Sequence, residues 1–136
     1  MSSKVKYFIA VCTIAFCVSC NSGQTNKAKP EENKDQIALA DSILFYFQQE
    51  QFDKIVSHFD EKIQMRLNKE RLAVVWAQLN AEAGKYTGSK FYGTEKFDVG
   101  DKVIYQCNFG NQTLYFHLVF GKDNRVIGLF FKPQPI

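Results

Sequence analysis

The sequence is poor in the residues on which most small enzymes and metal sites depend. Its 136 residues include two histidines, four cysteines, three prolines and one tryptophan. Three of the four cysteines lie within the first 20 residues, so Cys107 is the single thiol in the rest of the chain. This distribution contains no Cys–Cys or Cys–His spacing of the kind that binds zinc, and we therefore predict no metal site and no cofactor.

An excess of charge of one sign is also missing. The chain has 17 Lys and Arg against 14 Asp and Glu, a formal net charge of +3. The basic residues are dispersed rather than interleaved with aromatic ones, so nucleic acid is not a predicted partner. The sequence lacks a phosphate-binding loop, an H-E-x-x-H pair and a G-x-S-x-G nucleophile motif. What is present is a 46% hydrophobic composition, enough for one globular core.

The first 20 residues have the pattern of an exported leader. Lys4 and Lys6 precede an apolar run over residues 7–18, which is shorter than the roughly 20 residues that a membrane-spanning helix needs. A basic start followed by a short apolar run is typical of a signal peptide. The residues that end it, Cys17-Val18-Ser19-Cys20, resemble the lipobox of bacterial lipoproteins, with Cys17 where that family usually carries Leu.

The lipobox resemblance implies that Cys20 carries a lipid and that cleavage occurs before it. It divides the chain into a signal peptide (1–19), the acylated cysteine with a flexible tether (20–33) and one domain (34–136). Two or three acyl chains hold a protein on a membrane where one would be marginal. Asn21 is not the Asp that retains such proteins in the inner membrane, which favours the outer membrane, facing the periplasm. The alternative is ordinary cleavage and release as a secreted protein.

Residues 21–33 contain no Leu, Ile, Val or aromatic residue, and helical patterns begin directly after them. Asn33 and Gln36 predict a capping box for a first helix. A second apolar stripe over residues 52–59 predicts a short helix, and Asn68 and Gly84 predict the start and end of a third. Residues 61–67 remain ambiguous. The predicted apolar helix positions are Ile37, Ala40, Leu44, Phe47, Phe52, Ile55, Val56, Phe59, Leu72, Val75, Trp76, Leu79 and Ala83.

From Tyr86 the apolar period changes to two, which is typical of strands. We predict four strands near residues 86–97, 102–109, 112–120 and 125–132, joined by segments with turn residues. Helices followed by an antiparallel meander define an α+β domain.

The turn residues also predict which strand residues face the helices. A two-residue turn at Gly110-Asn111 pairs Cys107 with Leu114, and residues that pair share a face. A four-residue turn at 121–124 extends this face to the last strand. The predicted helix-facing residues are Val103, Tyr105, Cys107, Phe109, Leu114, Phe116, Leu118, Ile127, Leu129 and Phe131.

The opposite, outer face of the predicted sheet is mixed, and His117 lies opposite Gly128 in this register. The predicted outer residues are Ile104, Gln106, Asn108, Thr113, Tyr115, His117, Val119, Val126, Gly128 and Phe130. Within them, the candidate ligand or interface residues are Gln106, Asn108, Tyr115, His117 and Phe130. This cluster could serve as a ligand or acid–base site or as the polar part of a dimer interface. We favour the interface, because the histidine has no predicted carboxylate partner.

Residues spread along the domain resemble a bacterial family of unknown function. They are Phe59-Asp60, Met65, Leu67, Glu70-Arg71-Leu72, Val75-Trp76, Leu79, Gly84 and the ending Val126–Pro133. Such domains occur alone behind lipoprotein signals or ahead of an α/β-hydrolase domain. The family is similar to the nuclear transport factor 2-like, cystatin-like superfamily, so the resemblance implies helices packed into a curved four-stranded antiparallel sheet, forming a cone.

These features favour a membrane-anchored envelope lipoprotein whose domain is a binding or interaction module rather than an enzyme. The predicted partners are the membrane through the lipid anchor, a second copy through the sheet, and a small-molecule or protein ligand. The alternatives are a small isomerase- or dehydratase-like enzyme that uses the interior of the cone, or an accessory domain related to those fused to hydrolases. Enzymes of that kind need an acid–base pair in an apolar pocket, and the predicted interior offers only Tyr105 and Cys107 as titratable groups.

Overall fold

A computed structural model describes residues 33–136 as four helices followed by four strands. The helices are α1 (Lys34–Gln48), α2 (Phe52–Val56), α3 (Glu61–Arg66) and α4 (Lys69–Ala83), and the strands are β1 (Tyr86–Phe97), β2 (Gly100–Phe109), β3 (Thr113–Gly121) and β4 (Val126–Lys132). The α+β prediction is confirmed, with N-terminal helices followed by a curved open antiparallel sheet. The predicted signal peptide, Cys20 and all of the predicted tether except Asn33 lie outside the described residues.

Side-chain caps mark where α3 and α4 begin. The Asp60 carboxylate accepts the Lys62 N–H at 2.9 Å, and the ambiguous segment after it forms α3. The Asn68 side chain accepts the Arg71 N–H at 3.0 Å at the start of α4, as predicted. Caps of this kind satisfy N–H groups that have no partner within the helix.

The end of α4 depends on Gly84, whose backbone φ of +88° is one that residues with a Cβ rarely adopt. A Cβ there would also lie 2.8 Å from the backbone nitrogen of Asn111 in the β2–β3 turn. The Asn111 N–H instead donates to the carbonyl of Ala83 at 2.8 Å, which ties this turn to the end of the helix.

The predicted capping box at the start of α1 is wrong. Asn33 makes no side-chain cap, and Gln36 turns away from the helix end. Its amide donates to Asn124 at 2.9 Å and to Asp101 at 3.2 Å, residues that lie 88 and 65 positions away in the chain. These long-range hydrogen bonds replace the local cap. They cannot be predicted from the residues around Gln36, because both partners lie far away in the chain.

The strands form a simple antiparallel meander in the order β1-β2-β3-β4. The register between β2 and β3 is the predicted one, with Cys107 opposite Leu114 and Tyr105 opposite Phe116. The Phe109 N–H donates to the carbonyl of Gln112 at 2.9 Å, which closes the predicted two-residue turn.

The predicted register between β3 and β4 is wrong by two residues beyond the bulge. The turn accounts for one, because the Gly121 N–H donates to the Arg125 carbonyl and Phe120 pairs with Val126, and a bulge at Ile127 before the pair Val119–Gly128 accounts for the other. Val126 therefore lies on the helix-facing side, fully buried, whereas Ile127 is 39% exposed. Leu129 and Phe131 keep their predicted face, opposite Leu118 and Phe116.

The turn and the bulge together also change the neighbour of His117, which lies opposite Phe130 and not opposite Gly128. Gly128 lies opposite Val119. The Phe130 ring lies over this glycine, so close that a Cβ added at Gly128 would be 2.9 Å from a ring carbon. The Phe130 ring therefore occupies the space above this glycine.

The space between the helices and the sheet is filled mainly by aromatic rings. Phe47 of α1 is at the centre, with ring centroids of Trp76, Phe131, Phe52 and Phe116 at 4.9–6.3 Å. Phe116 and Phe131 add a contact at 5.0 Å across β3 and β4. Edge-to-face and tilted rings at these separations pack favourably beyond the apolar area that they bury. The fully buried core residues are Ala40, Ile43, Phe47, Ile55, Phe59, Leu72, Val103, Cys107, Phe116, Leu118, Phe120 and Val126.

Candidate functional site

The five predicted site residues lie on the outer face of the sheet, where strand pairing brings them together. Gln106 pairs with Tyr115, and His117 lies between Ile104 and Phe130 on the neighbouring strands. Asn108 lies toward the end of the face near Thr113, whose hydroxyl contacts its side-chain oxygen at 3.3 Å. The β2–β3 register places Gln106, Asn108, Tyr115 and His117, and the bulged β3–β4 register places Phe130.

His117 is the buried centre of this face, with only 1% of its surface exposed. Its Nε2 atom lies 3.3 Å from the backbone carbonyl of Gln134 in the segment that follows β4. A carbonyl can only accept, so Nε2 carries the proton and donates. In the neutral ring Nδ1 is then an acceptor, and this buried atom has no hydrogen-bond partner within the described residues.

Several effects change the pKa of His117, and the largest of them is burial. Burial lowers the pKa below its ordinary value of 6.5, because the charged imidazolium loses its hydration. The hydrogen bond to Gln134 opposes this shift, the positive charges of Lys102 and Lys132 add to it, and Glu95 opposes it. The net direction is downward, so the histidine is neutral at pH 7.

A carboxylate does lie on this face, although the sequence did not predict one. Glu95 of β1 pairs with Lys102 of β2 across the strands, and the carboxylate and ammonium groups are 2.7 Å apart. Lys102 also lies 4.8 Å from the centroid of the Phe97 ring, and Lys132 lies 5.7 Å from that of Phe130. The face around His117 therefore carries both signs of charge beside aromatic rings.

Two aromatic residues of β1 complete the face and were missed from the sequence. The Tyr92 ring contacts the Tyr115 ring edge-on, with centroids 5.2 Å apart, and Phe97 lies beside Lys102. Tyr92 is the extra residue at a bulge between the pairs Phe91–Tyr105 and Gly93–Ile104. We call the group Tyr92, Phe97, Tyr115 and Phe130 the outer aromatic group. Its members are solvent-accessible: Tyr92, Phe97 and Phe130 are 48%, 45% and 51% exposed.

The interior of the domain presents little chemistry. The prediction that Tyr105 and Cys107 are its only titratable groups is incomplete, because Tyr86 at the start of β1 is buried there as well. Burial raises the pKa of the Cys107 thiol to about 12 and that of the Tyr105 phenol to about 12, the latter with a contribution from the charge of Asp41. Cys107 is a free, fully buried thiol, and the shift keeps it protonated.

Residues 33–136 contain no group of three or more His, Cys, Asp and Glu side chains placed to hold a metal ion. In the same part of the chain, no helix combines the length and the apolar character needed to cross a membrane.

Comparison with known proteins gives one match. The model of a family described as protein of unknown function (DUF3887) matches residues 40–129, which extend from α1 into β4. No curated protein and no solved structure matches the chain. The matched range covers well over half of the sequence and agrees with the resemblance to a family of unknown function. The chain belongs to the DUF3887 family of proteins of unknown function.

Proposed function

We propose that this protein is a lipid-anchored lipoprotein of the bacterial envelope, held at Cys20 in the outer membrane and facing the periplasm. Its domain, of the nuclear transport factor 2-like, cystatin-like type, is a non-catalytic interaction module. It self-associates through the outer face of its sheet. The leader pattern supports the anchor, and the helix-then-sheet architecture supports the fold type.

The observation that carries the interaction proposal is the exposure of the outer aromatic group. Three of its members expose about half of their surface on one side of one sheet. Clustered aromatic surface of this kind marks an interaction site more often than scattered single residues do. Tyr and Phe are also enriched at the centres of protein interfaces.

A second copy of the chain fits this face well. The face carries both signs of charge, with Glu95 beside Lys102 and with Lys132 next to Phe130. In a two-fold dimer the same patch meets itself, so a patch needs both signs to be complementary to itself. The outer face meets that condition, whereas a patch of one sign would repel its copy.

The packing of the interior supports a binding module over a cone enzyme. The space between helices and sheet is occupied by Phe47, Trp76, Phe116 and Phe131, whose rings are in mutual contact. An isomerase or dehydratase needs an acid–base pair that touches a bound substrate in such a space. The buried Tyr105 and Cys107 have pKa values raised to about 12, which does not suit proton transfer near neutral pH.

The anchor is tested by substituting the acylated cysteine. The Cys20→Ala chain should lose labelling by a radioactive or clickable fatty acid and leave the membrane fraction, whereas Cys17→Ala should keep both. Membrane association and labelling of Cys20→Ala at the level of the unmodified chain would contradict the lipoprotein proposal.

The interface is tested by light scattering on residues 21–136, which lack the anchor. Tyr115→Glu places a charge within the outer aromatic group and should convert a dimer to a monomer. Val74→Glu makes the same change at a 64% exposed position on α4 and should leave the mass unchanged. A monomeric parent, or a dimer that survives Tyr115→Glu, would contradict self-association through this face.

A further inference from the structure

A second surface feature lies on the other side of the domain, where α1 diverges from the start of β1. The two elements leave an open groove of about 650 Å³, within the size range of small-ligand sites. One side is formed by Asp41 and Phe45, one turn apart on α1, and by Tyr46. The other side is formed by Tyr86 and Ser89 of β1.

The groove carries a single charge, the carboxylate of Asp41. Among the described residues that line it, the others are apolar, aromatic, hydroxyl-bearing or amide side chains and a glycine. Within residues 33–136 Asp41 forms no salt bridge. Burial first, and then the charge of Asp41 and its side-chain hydrogen bond with the phenol, raise the pKa of Tyr105 to about 12, so a neutral group is the partner of Asp41 in the fold. A phenol with that pKa is neutral at pH 7, so the negative charge remains available to a ligand.

Phe45 gives the groove an aromatic face that the core does not require. It is 55% exposed, and the ring contact that it makes is with its neighbour Tyr46, at 6.3 Å. An exposed phenylalanine one turn from a carboxylate offers a cation two attractions at once, the ring face and the negative charge. Tyr86 adds a second ring from the sheet, and this ring is mostly buried.

The structure also indicates which rings are free to receive a cation. The Lys54 ammonium already lies 5.5 Å from the centroid of the Tyr46 ring. A bound cation near Tyr46 would meet like charge, so Phe45 is the better contact for the charge. The Tyr86 ring is 9% exposed and packs against Trp76 and Phe109, so it offers apolar surface to alkyl groups only. This arrangement disfavours anions, because Asp41 would repel them.

We propose that this groove binds an organic ammonium ion, with Asp41 as its counter-charge and Phe45 and Tyr86 against its alkyl groups. The required ligand chemistry is a positive nitrogen joined to a compact apolar body. A lipid headgroup and a free small amine both carry that chemistry. The site is separate from the outer aromatic group, and it does not depend on self-association.

The test compares a cation with a neutral molecule of the same shape. Isothermal titration of the full chain in a nonionic detergent with choline, and with 3,3-dimethylbutan-1-ol, separates charge from shape. Choline should bind saturably and at least tenfold more tightly than the alcohol. Equal affinity for the two, or no saturable binding of choline or phosphocholine, would overturn the proposal. The relative affinities of these two probes distinguish a free amine from a headgroup source.

Variants assign the binding to the groove. Asp41→Asn keeps the shape of the side chain and should weaken choline binding at least tenfold while leaving the alcohol unaffected, and Phe45→Ala should weaken choline severalfold. Asp98→Asn, an equivalent change at an exposed residue of the β1–β2 turn, should leave the affinity unchanged. Circular dichroism confirms that each variant is folded, as expected for exposed positions. Binding that Asp41→Asn leaves intact would overturn the assignment.

Discussion

The Nε2–H of His117 donates to the carbonyl of Gln134 at 3.3 Å, and this bond joins the centre of the sheet to the segment that follows β4. The segment therefore lies over the outer face and helps to bury the imidazole. The same burial leaves Nδ1 without a hydrogen-bond partner among residues 33–136 and disfavours the charged ring. His117 is thus a structural group of the outer face whose protonation opposes folding.

The pH dependence of stability should report this histidine. Its pKa is lowered in the folded chain, so the unfolded chain takes up the proton first as the pH falls through 6.5. Its contribution is therefore fully present above pH 6.5 and is lost as the pH drops toward the folded-state value. Urea unfolding at pH 7.5 and 5.5 should show a smaller loss of stability for His117→Gln than for the unmodified chain. Equal losses for His117→Gln and the unmodified chain would contradict the prediction.

Removal of the segment that covers His117 should restore its ordinary titration. In a chain that ends at Lys132 the imidazole gains water, and its pKa should rise toward 6.5. Histidine ring resonances followed by NMR across pH 5–8 measure this directly. Gln134→Ala keeps the backbone carbonyl and should leave the titration unchanged. An unchanged pKa in the shortened chain would mean that the segment does not bury the ring.

Two phenylalanines on α1 should differ sharply in their contribution to stability. Phe47 is fully buried against four other rings, so Phe47→Ala should lower the free energy of unfolding by about 3–5 kcal/mol. Phe45 is 55% exposed, and Phe45→Ala should cost about 1 kcal/mol or less. Denaturant titration of both variants measures the difference, and similar costs would contradict the described core.

Cys107 should be unreactive in the folded protein. Burial removes access to the thiol and raises its pKa to about 12, so almost no thiolate is present near neutral pH. In a chain in which Cys12, Cys17 and Cys20 are replaced by serine, a maleimide should label Cys107 only after denaturant is added. Rapid labelling of the folded chain would contradict its placement in the core.

The sequence predicted most of the architecture where local patterns determine it. The two-residue turn at Gly110-Asn111 was enough to pair β2 with β3 correctly, because the strand period then fixes every later pair. Asn68 and Gly84 were correctly predicted as the start and end of a helix. In each case the determining groups lie within a few residues of each other.

Apart from the length of the β3–β4 turn, the failures involve interactions between distant parts of the chain. The bulge at Ile127 could not be predicted from alternation alone, because Val126 and Ile127 are both apolar and either could occupy the core. Gln36 was predicted to cap its own helix, but it bonds to Asp101 and Asn124 instead. The β1 residues beside the candidate site are placed by the bulged register between β1 and β2. No sequence pattern in β1 indicated that bulge.

Footprinting of exposed side chains tests the outer face as an interface most directly. Hydroxyl radicals modify accessible aromatic and methionine side chains, and mass spectrometry locates the products. On raising the concentration of residues 21–136 through the dimer transition, modification of Tyr92, Phe97, Tyr115 and Phe130 should fall together. Phe45 on α1 and Met65 on α3 lie outside this face and are 55% and 83% exposed, so they should be modified equally at all concentrations. Protection of Phe45 or Met65, with the outer aromatic group unchanged, would contradict the account.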